Sequence, residues 1–232
     1  MSTNYNRRNE TAALYEIGKI FVNNGDNKLP DEKEKLTIAM YGPKVDFYRL
    51  KGVIESLLEE LQCDQQVEYT RNNDATWMHP GRRADIVAGK QILGTFGQIH
   101  PTIAKNYHIK AEVYFAEIDM ENLLQLAKLE GSFTPLPKFP STSRDIAMIV
   151  KDEVLAGDIE KIIKQRGGKL LENYKLFDIY KGDQVKKGHK SMAYNISFRA
   201  ADRTLKEEEV NAIMKKIIHG LKTNLEAELR DH

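Results

Sequence analysis

Residues 176–199, LFDIYKGDQVKKGHKSMAYNISFR, place two runs of alternating character on either side of a basic turn marked by glycine. Before the turn, Leu176, Asp178 and Tyr180 alternate with Phe177 and Ile179. After it, Met192, Tyr194, Ile196 and Phe198 alternate with Ser191, Ala193, Asn195, Ser197 and Arg199. A period of two marks strands with one buried face. The stretch therefore predicts two strands joined by a hairpin, with an acid, a phenol and a hydroxyl left on the second face for recognition.

The flanking residues extend this pattern. Upstream, Asp145–Val150 is a nearly all-apolar strand, and Leu155, Ile159, Ile162 and Ile163 mark a helix that Gly167 and Gly168 end, because glycine adopts a left-handed C-cap at least cost. Downstream, Thr204-Leu205-Lys206-Glu207 reads as a capping box. A regular apolar stripe follows through Val210, Ile213, Met214, Ile217, Ile218 and Leu221, and Glu226–Arg230 can supply a fourth strand. The order is βαββαβ, a ferredoxin-like unit.

That fold hosts acylphosphatases, metabolite sensors and RNA-binding modules alike, so the residues must separate them. An acylphosphatase needs an anion-cradling loop after its first strand, and here Lys151 is followed by Asp152 and Glu153, which repel phosphate. An RNA-recognition motif stacks bases on paired aromatics of its central strands, and only Tyr180, Tyr194 and Phe198 are available. Lys181, Lys186, Lys187, His189 and Lys190 cluster beside Tyr180 and Ser191. They read either as a distinct RNA-binding surface or as a solvated basic hairpin tip.

The N-terminal half also reads as α+β. Residues 11–22 and 36–42 are strand-like, with a polar loop between them, and the first run opens as if the chain began inside a sheet protein. Asp46 can cap a helix whose Leu50, Val53, Ile54, Leu57, Leu58 and Leu61 form one apolar stripe. Gln66–Thr70, Ala84–Ala88, Gln91–Gln98 and Glu112–Asp119 have strand character, Met120–Leu129 reads as a short helix, and Trp77–Arg83 is a connection. An antiparallel sheet backed by helices is the expectation.

Catalytic signatures are missing from this half. His79 and His100 each precede a proline and read as turn residues that satisfy backbone carbonyls; one cysteine and no HExxH argue against zinc. There is no GxSxG, no phosphate-binding loop, and no long helix after Gly94-Thr95-Phe96-Gly97. The lone Cys63 reads as a buried structural thiol, which excludes an intrachain disulfide and suits a reducing compartment. No apolar run approaches the roughly 18 residues of a membrane span, and MSTNYNRRNE lacks a signal-peptide core. A soluble, cytoplasmic protein is expected.

Charge is unevenly divided. Residues 1–131 carry 16 Lys and Arg against 19 Asp and Glu, a net −3, whereas residues 132–232 carry 19 against 15, a net +4. Only a shared surface would turn that modest difference into polyanion binding. Three prolines in residues 131–140, GSFTPLPKFP, predict a stiff linker between a first domain at 1–130 and a second at 141–232.

Five segments of the second domain, FPSTSRDIAMIV (139–150), LFDIYKG (176–182), GHKSMAYNISFRA (188–200), RTLKEEEV (203–210) and AELR (227–230), resemble the C-terminal anticodon-binding domain of the bacterial phenylalanyl-tRNA synthetase beta subunit. NETAALYEIGKIF (9–21), DFYRLKGVIESLL (46–58), HPGRRADI (79–86) and LGTFGQIHP (93–101) resemble the end of the catalytic-like module of the same subunit. The resemblance implies a class II synthetase-like core without catalytic motifs, then the ferredoxin-like domain. It implies an α2β2 enzyme in which the alpha subunit binds ATP, Mg2+ and phenylalanine, while the beta subunit holds tRNA and edits in an earlier domain. This chain alone is then expected to be a non-catalytic fragment without cofactors.

Carried over residue by residue, the resemblance assigns Ala147, Asp178, Tyr180 and Ser191 to the anticodon. Tyr180 suits stacking on an unstacked base, Asp178 suits accepting from a guanine edge, Ser191 offers a hydroxyl, and Ala147 is small enough for close approach. Arg144, Lys181, Lys187, Lys190 and Arg199 are phosphate candidates, with an ion pair to a nearby acid the alternative for Arg144. The rival reading is an assembly module that binds RNA only within the tetramer; a ferredoxin-like small-molecule sensor is the third.

Overall fold

The computed structural model describes residues 1–25, 28–128, 135–182 and 185–230, which fall into two compact units, Met1–Ser132 and Phe133–His232. The first unit begins with a short helix α1 (Ser2–Asn6). It continues through strands β1 (Ala12–Val22) and β2 (Asp31–Tyr41), helix α2 (Phe47–Glu60), and strands β3 (Val67–Arg71), β4 (Met78–Ala88) and β5 (Gln91–Ile99). Helix α3 (Pro101–Asn106), strand β6 (Val113–Asp119) and helix α4 (Met120–Leu126) complete it. The strands form one antiparallel six-stranded sheet in the order β1-β2-β6-β5-β4-β3.

One face of this sheet is apolar because its strands alternate. Leu36, Ile38 and Met40 of β2 share a core with Leu50, Ile54 and Leu58 of α2, and with Phe96, Ala116 and Ile118. Asp46 starts α2 as expected, its Oδ1 accepting from the Arg49 N–H at 2.7 Å. Replacing Asp46 by alanine removes that acceptor and should lower stability by about 1 kcal/mol, while asparagine restores most of it. An unshifted denaturation midpoint for the alanine variant would contradict this role. Cys63 is fully buried, its Sγ 3.6 Å from the Leu58 carbonyl oxygen, and burial pushes its thiol pKa up.

Two strand starts in this unit differ from the sequence reading by more than one residue. β2 starts at Asp31 rather than Leu36, because it pairs with β1 over eleven residues, from Ala12↔Tyr41 to Val22↔Asp31. The outer half of this hairpin is solvated on both faces, so Glu32, Lys33 and Glu34 show no apolar period although their backbone is laddered. β4 likewise starts at Met78 and passes through the expected connection, with a register shift between Met78 and Arg83. The two histidines accept rather than donate: Nδ1 of His79 takes the Gly81 N–H at 3.1 Å, and Nδ1 of His100 takes the Thr102 N–H at 3.3 Å, capping α3. Helix α4 stops at Leu126, short of the expected Leu129, because its C-cap Ala127 takes up extended backbone; the first part of the expected linker lies outside the described residues.

The second unit runs β7 (Thr142–Lys151), α5 (Ala156–Gly167), β8 (Leu171–Tyr180), β9 (His189–Phe198), α6 (Glu207–Leu225) and β10 (Glu228–Leu229). Its antiparallel order β10-β7-β9-β8 is that of the ferredoxin-like βαββαβ fold. Both helices contribute to one core with Met148, Met192, Tyr194, Ile196 and Phe198, so the opposite face of the sheet carries no helix. Tyr194 donates its hydroxyl to the Ala156 carbonyl at 3.4 Å, and burial pushes its phenol pKa up.

Gly168, at φ 62°, ends α5 as the glycine pair predicts. The cap of α6 is a correction. It starts at Lys206, whose N–H donates to Glu209 Oε2 at 3.0 Å, two residues past the expected Thr204 box. Three consecutive glutamates, Glu207 to Glu209, made either register plausible from sequence, and their charge suits a helix N-terminus. The fourth strand is shorter than expected and covers Glu228–Leu229 only.

Candidate nucleic-acid interface

Strand parity defines the helix-free face of the second sheet. In β9 the buried Met192, Tyr194, Ile196 and Phe198 point to the helices, which sends Ser191, Ala193, Asn195 and Ser197 to the other side. Residues directly opposite in antiparallel strands share a face. The pairings Ala147↔Ala193 and Asp178↔Ala193 put Ala147 and Asp178 there in one row, and Tyr180↔Ser191 puts Tyr180 in the next. All four residues assigned to the anticodon by resemblance thus lie together, in adjoining rows about 6.7 Å apart along the strands.

A bulge makes this arrangement possible. Simple alternation groups Leu176 with Asp178 and Tyr180, yet Leu176 pairs with the core residue Tyr194 while Asp178 pairs with Ala193. Phe177 is the extra residue, and it inverts the parity of everything after it. Without it Asp178 and Tyr180 would follow Leu176 toward the helices. The sequence expectation is corrected here: Leu176 is core, whereas Asp178 and Tyr180 face away from it.

Two exposed polar groups on this face stand beside a recessed one. Ser191 is only 4% exposed. Asp178 is exposed, and among the described residues neither its carboxylate nor the Tyr180 hydroxyl has a partner. Tyr180 is 37% exposed, and its ring rests against Gly182: a Cβ there would stand 2.4 Å from Oη and 2.7 Å from Cζ. The glycine leaves the ring the space it occupies.

The phosphate candidates separate. Lys181 is paired with Asp152 at 2.8 Å, both partly exposed, beside the Tyr180 end of the sheet. Lys187 lies in the turn before β9, and its ammonium has no partner among the described residues. Lys190 pairs in register with the core residue Val150, and its Nζ donates to the carbonyls of Asp152 at 3.1 Å and Val154 at 2.6 Å. Arg144 stands opposite Ile196, on the helix side, and pairs with Glu207 of α6 at 3.4 Å. Arg199 pairs with Glu172 at 2.6 Å and donates to the Phe139 carbonyl. It lies eight residues beyond Ser191, about 26 Å along the strand. Only Lys181 and Lys187 of the five combine a position near Tyr180 with side chains not tied to backbone carbonyls.

Other residues share the helix-free face without having drawn attention in the sequence. Asn195 donates to Asp145 Oδ1 at 2.6 Å across the β7–β9 pair, and Lys175 completes their row. Lys151, opposite His189, extends the face past Ser191 and pairs with Glu226 at 2.7 Å, which raises the lysine pKa and lowers that of the glutamate. The period of two in β9 was signal enough for Asn195. Lys151 carries no such signal, because in the sequence it only opens the acidic run Lys151-Asp152-Glu153.

Comparison with known proteins adds to this geometry. Residues 1–120 match the family model described as phenylalanyl tRNA synthetase beta chain CLM domain, and residues 137–230 match the ferredoxin-fold anticodon binding domain. The chain is 45% identical over 231 residues to the phenylalanine-tRNA ligase beta subunit of Clostridium tetani, covering 99% of this chain and 29% of that protein. The corresponding subunit of Clostridium acetobutylicum is 40% identical with the same coverage, and that of Bacillus subtilis is 34% identical over 241 residues, 30% of its length. The chain therefore spans less than a third of the curated relatives it matches.

Proposed function

The chain belongs to the phenylalanyl-tRNA synthetase beta-chain family, and from that premise we propose that it is a non-catalytic, tRNA-binding part of a phenylalanine-tRNA ligase, reading the anticodon of phenylalanine tRNA. The observation that carries this reading is the pair of exposed polar side chains without a partner among the described residues on the helix-free face, the Asp178 carboxylate and the Tyr180 phenol, next to the recessed Ser191. Single-stranded bases, splayed from a loop, offer both edges for hydrogen bonding and faces for stacking.

In this reading Tyr180 stacks on one base, Asp178 accepts from the Watson–Crick edge of a guanine, and Ser191 completes the contact. Ala147 leaves room for the base to descend. Lys181 and Lys187 meet the backbone, where phosphate contacts position the RNA without specifying its sequence. Arg144, Lys190 and Arg199 have structural work instead, at the start of α6, the turn after β7 and the far end of the sheet.

ATP, Mg2+ and phenylalanine belong, in the same reading, to the companion alpha subunit. Among the described residues of this chain no three His, Cys, Asp or Glu side chains are grouped to hold a metal ion. Aminoacylation is proposed for the alpha/beta assembly, with α2β2 stoichiometry, acting in the cytoplasm. Among the described residues no helix is long and apolar enough to cross a membrane.

One observation favours an additional assembly role. Leu14, Tyr15, Ile17, Ile20, Phe21 and Val22 of the edge strand β1 are 38–77% exposed, more apolar surface than an isolated hairpin normally shows to water. The alpha subunit is the proposed partner of that surface.

The direct test is titration of the full chain with a phenylalanine tRNA transcript and with an anticodon-substituted transcript at several salt concentrations. Affinity should fall as salt rises, and should be lower for the substituted transcript at every salt. Equal affinity for both transcripts would refute anticodon reading. No binding by the free chain, with binding restored in the alpha/beta assembly, would favour the assembly role alone.

A further inference from the structure

We propose that Ala193 is a specificity-determining residue of the anticodon face, forming with Ala147 the floor on which one base lies; the inference rests on the anticodon reading. The row across the sheet runs from Arg230, whose N–H donates to the Ala147 carbonyl at 3.0 Å, through Ala147 and Ala193 to Asp178. An acid and a guanidinium-bearing residue thus stand at the two ends of a stretch in which the side chains are methyl groups. At about 4.8 Å per strand, Ala147 to Asp178 spans roughly 10 Å, the scale of a purine ring system.

The floor is recessed. Ala147 is 9% exposed and Ala193 8%, although no helix covers this face. The adjoining rows stand taller: Ile149, Ser191 and Tyr180 on one side, and Asp145, Asn195 and Lys175 on the other. The second wall is fixed by the Asn195 to Asp145 hydrogen bond, and the first presents Ser191 beside the Tyr180 phenol. A flat ring seated here would rest on two methyls, with polar groups at its edges.

Local propensity opposes these alanines. β9 is flanked on both sides, and paired interior strands favour β-branched or aromatic residues, whose cross-strand contacts stabilise a sheet. Two alanines directly opposite each other give up that contribution. Positions at which a local rule is broken without a structural gain are candidates for function. The outward methyl of Ala193 touches none of the core residues, so enlarging it need not disturb the packing beneath.

That independence gives the experiment. Ala193→Val, assayed in the full chain with the phenylalanine tRNA anticodon stem-loop as probe, should raise the floor and weaken binding by about tenfold or more, while its melting temperature stays equal or rises. Ala193→Ser, nearly the same size, should bind within about twofold of the unsubstituted chain. Ala147→Val, on the neighbouring strand, should reproduce the loss and serves if Ala193→Val does not fold. Full affinity in both folded valine variants, with Tyr180→Ala still impaired, would overturn the floor and leave the anticodon reading standing. Full affinity in all three would overturn that reading itself. A serine variant as weak as the valine one would show that size is not the cause, and would also overturn the proposal.

Discussion

Tyr180→Ala should weaken binding of the phenylalanine tRNA anticodon stem-loop by about 1–3 kcal/mol, the value of one lost base–aromatic stack. That is roughly a 5- to 150-fold rise in Kd. The expectation follows from placement rather than residue type alone. Tyr180 comes at the end of β8, opposite the recessed Ser191, and its ring keeps 37% of its surface exposed while lying against Gly182. A ring already held in one position gives up little rotational freedom when a base stacks on it. Its removal should barely change stability, because it does not belong to the core cluster of its unit. Tyr180→Phe keeps the stacking face and should retain most of the affinity, which separates the ring from its hydroxyl. Binding is read by fluorescence titration and folding by thermal melting. A Tyr180→Ala protein that melts normally and binds with undiminished affinity would remove the central contact of the proposed interface.

The order of elements in the second unit was legible because its strands alternate cleanly and its helices carry regular apolar stripes. β9 is the clearest instance: Met192, Tyr194, Ile196 and Phe198 are buried where a period of two puts them. β8 was legible as a strand but not in its facing. The bulge at Phe177 leaves no mark in composition, because an inserted apolar residue beside Leu176 looks like continued alternation until the partner strand is known. The same limit applies to the basic cluster. Sequence proximity gathers Lys181, Lys187 and Lys190, yet Lys190 turns to the carbonyls of the turn after β7, and Arg144 turns to α6. Strand parity separates such neighbours, and parity depends on register. In the first unit the polar half of the β1–β2 hairpin is illegible in the sequence for a different reason. Its residues are solvated on both faces, so backbone pairing is the only thing that makes them a strand.

A complementary outcome is expected from Phe198→Ala, which should cost about 3–5 kcal/mol of stability. Phe198 has no exposed surface and sits in register between Thr142 of β7 and Leu171 of β8, at the end of the core column formed by β9. Both helices of the unit pack on the same cluster, so the cavity left by the ring has rigid walls and cannot collapse cheaply. A loss of this size is a large share of the roughly 5–15 kcal/mol that stabilises a domain, and should lower the melting temperature of the second unit by about 10 °C or more. The effect on binding should be of another kind. Phe198 lies seven residues from Ser191, about 23 Å along the strand, and points to the opposite face. Below its melting transition the variant should bind the stem-loop with the Kd of the unsubstituted chain, with at most a reduced fraction of competent molecules. Tyr180→Ala should show the reverse, an altered Kd with an unaltered melting curve. A Phe198→Ala protein whose melting temperature stays within about 2 °C of the parent would mean that this end of the core repacks freely. A folded one with a raised Kd would mean that the two faces of the sheet are coupled, against the independence that the strand geometry implies.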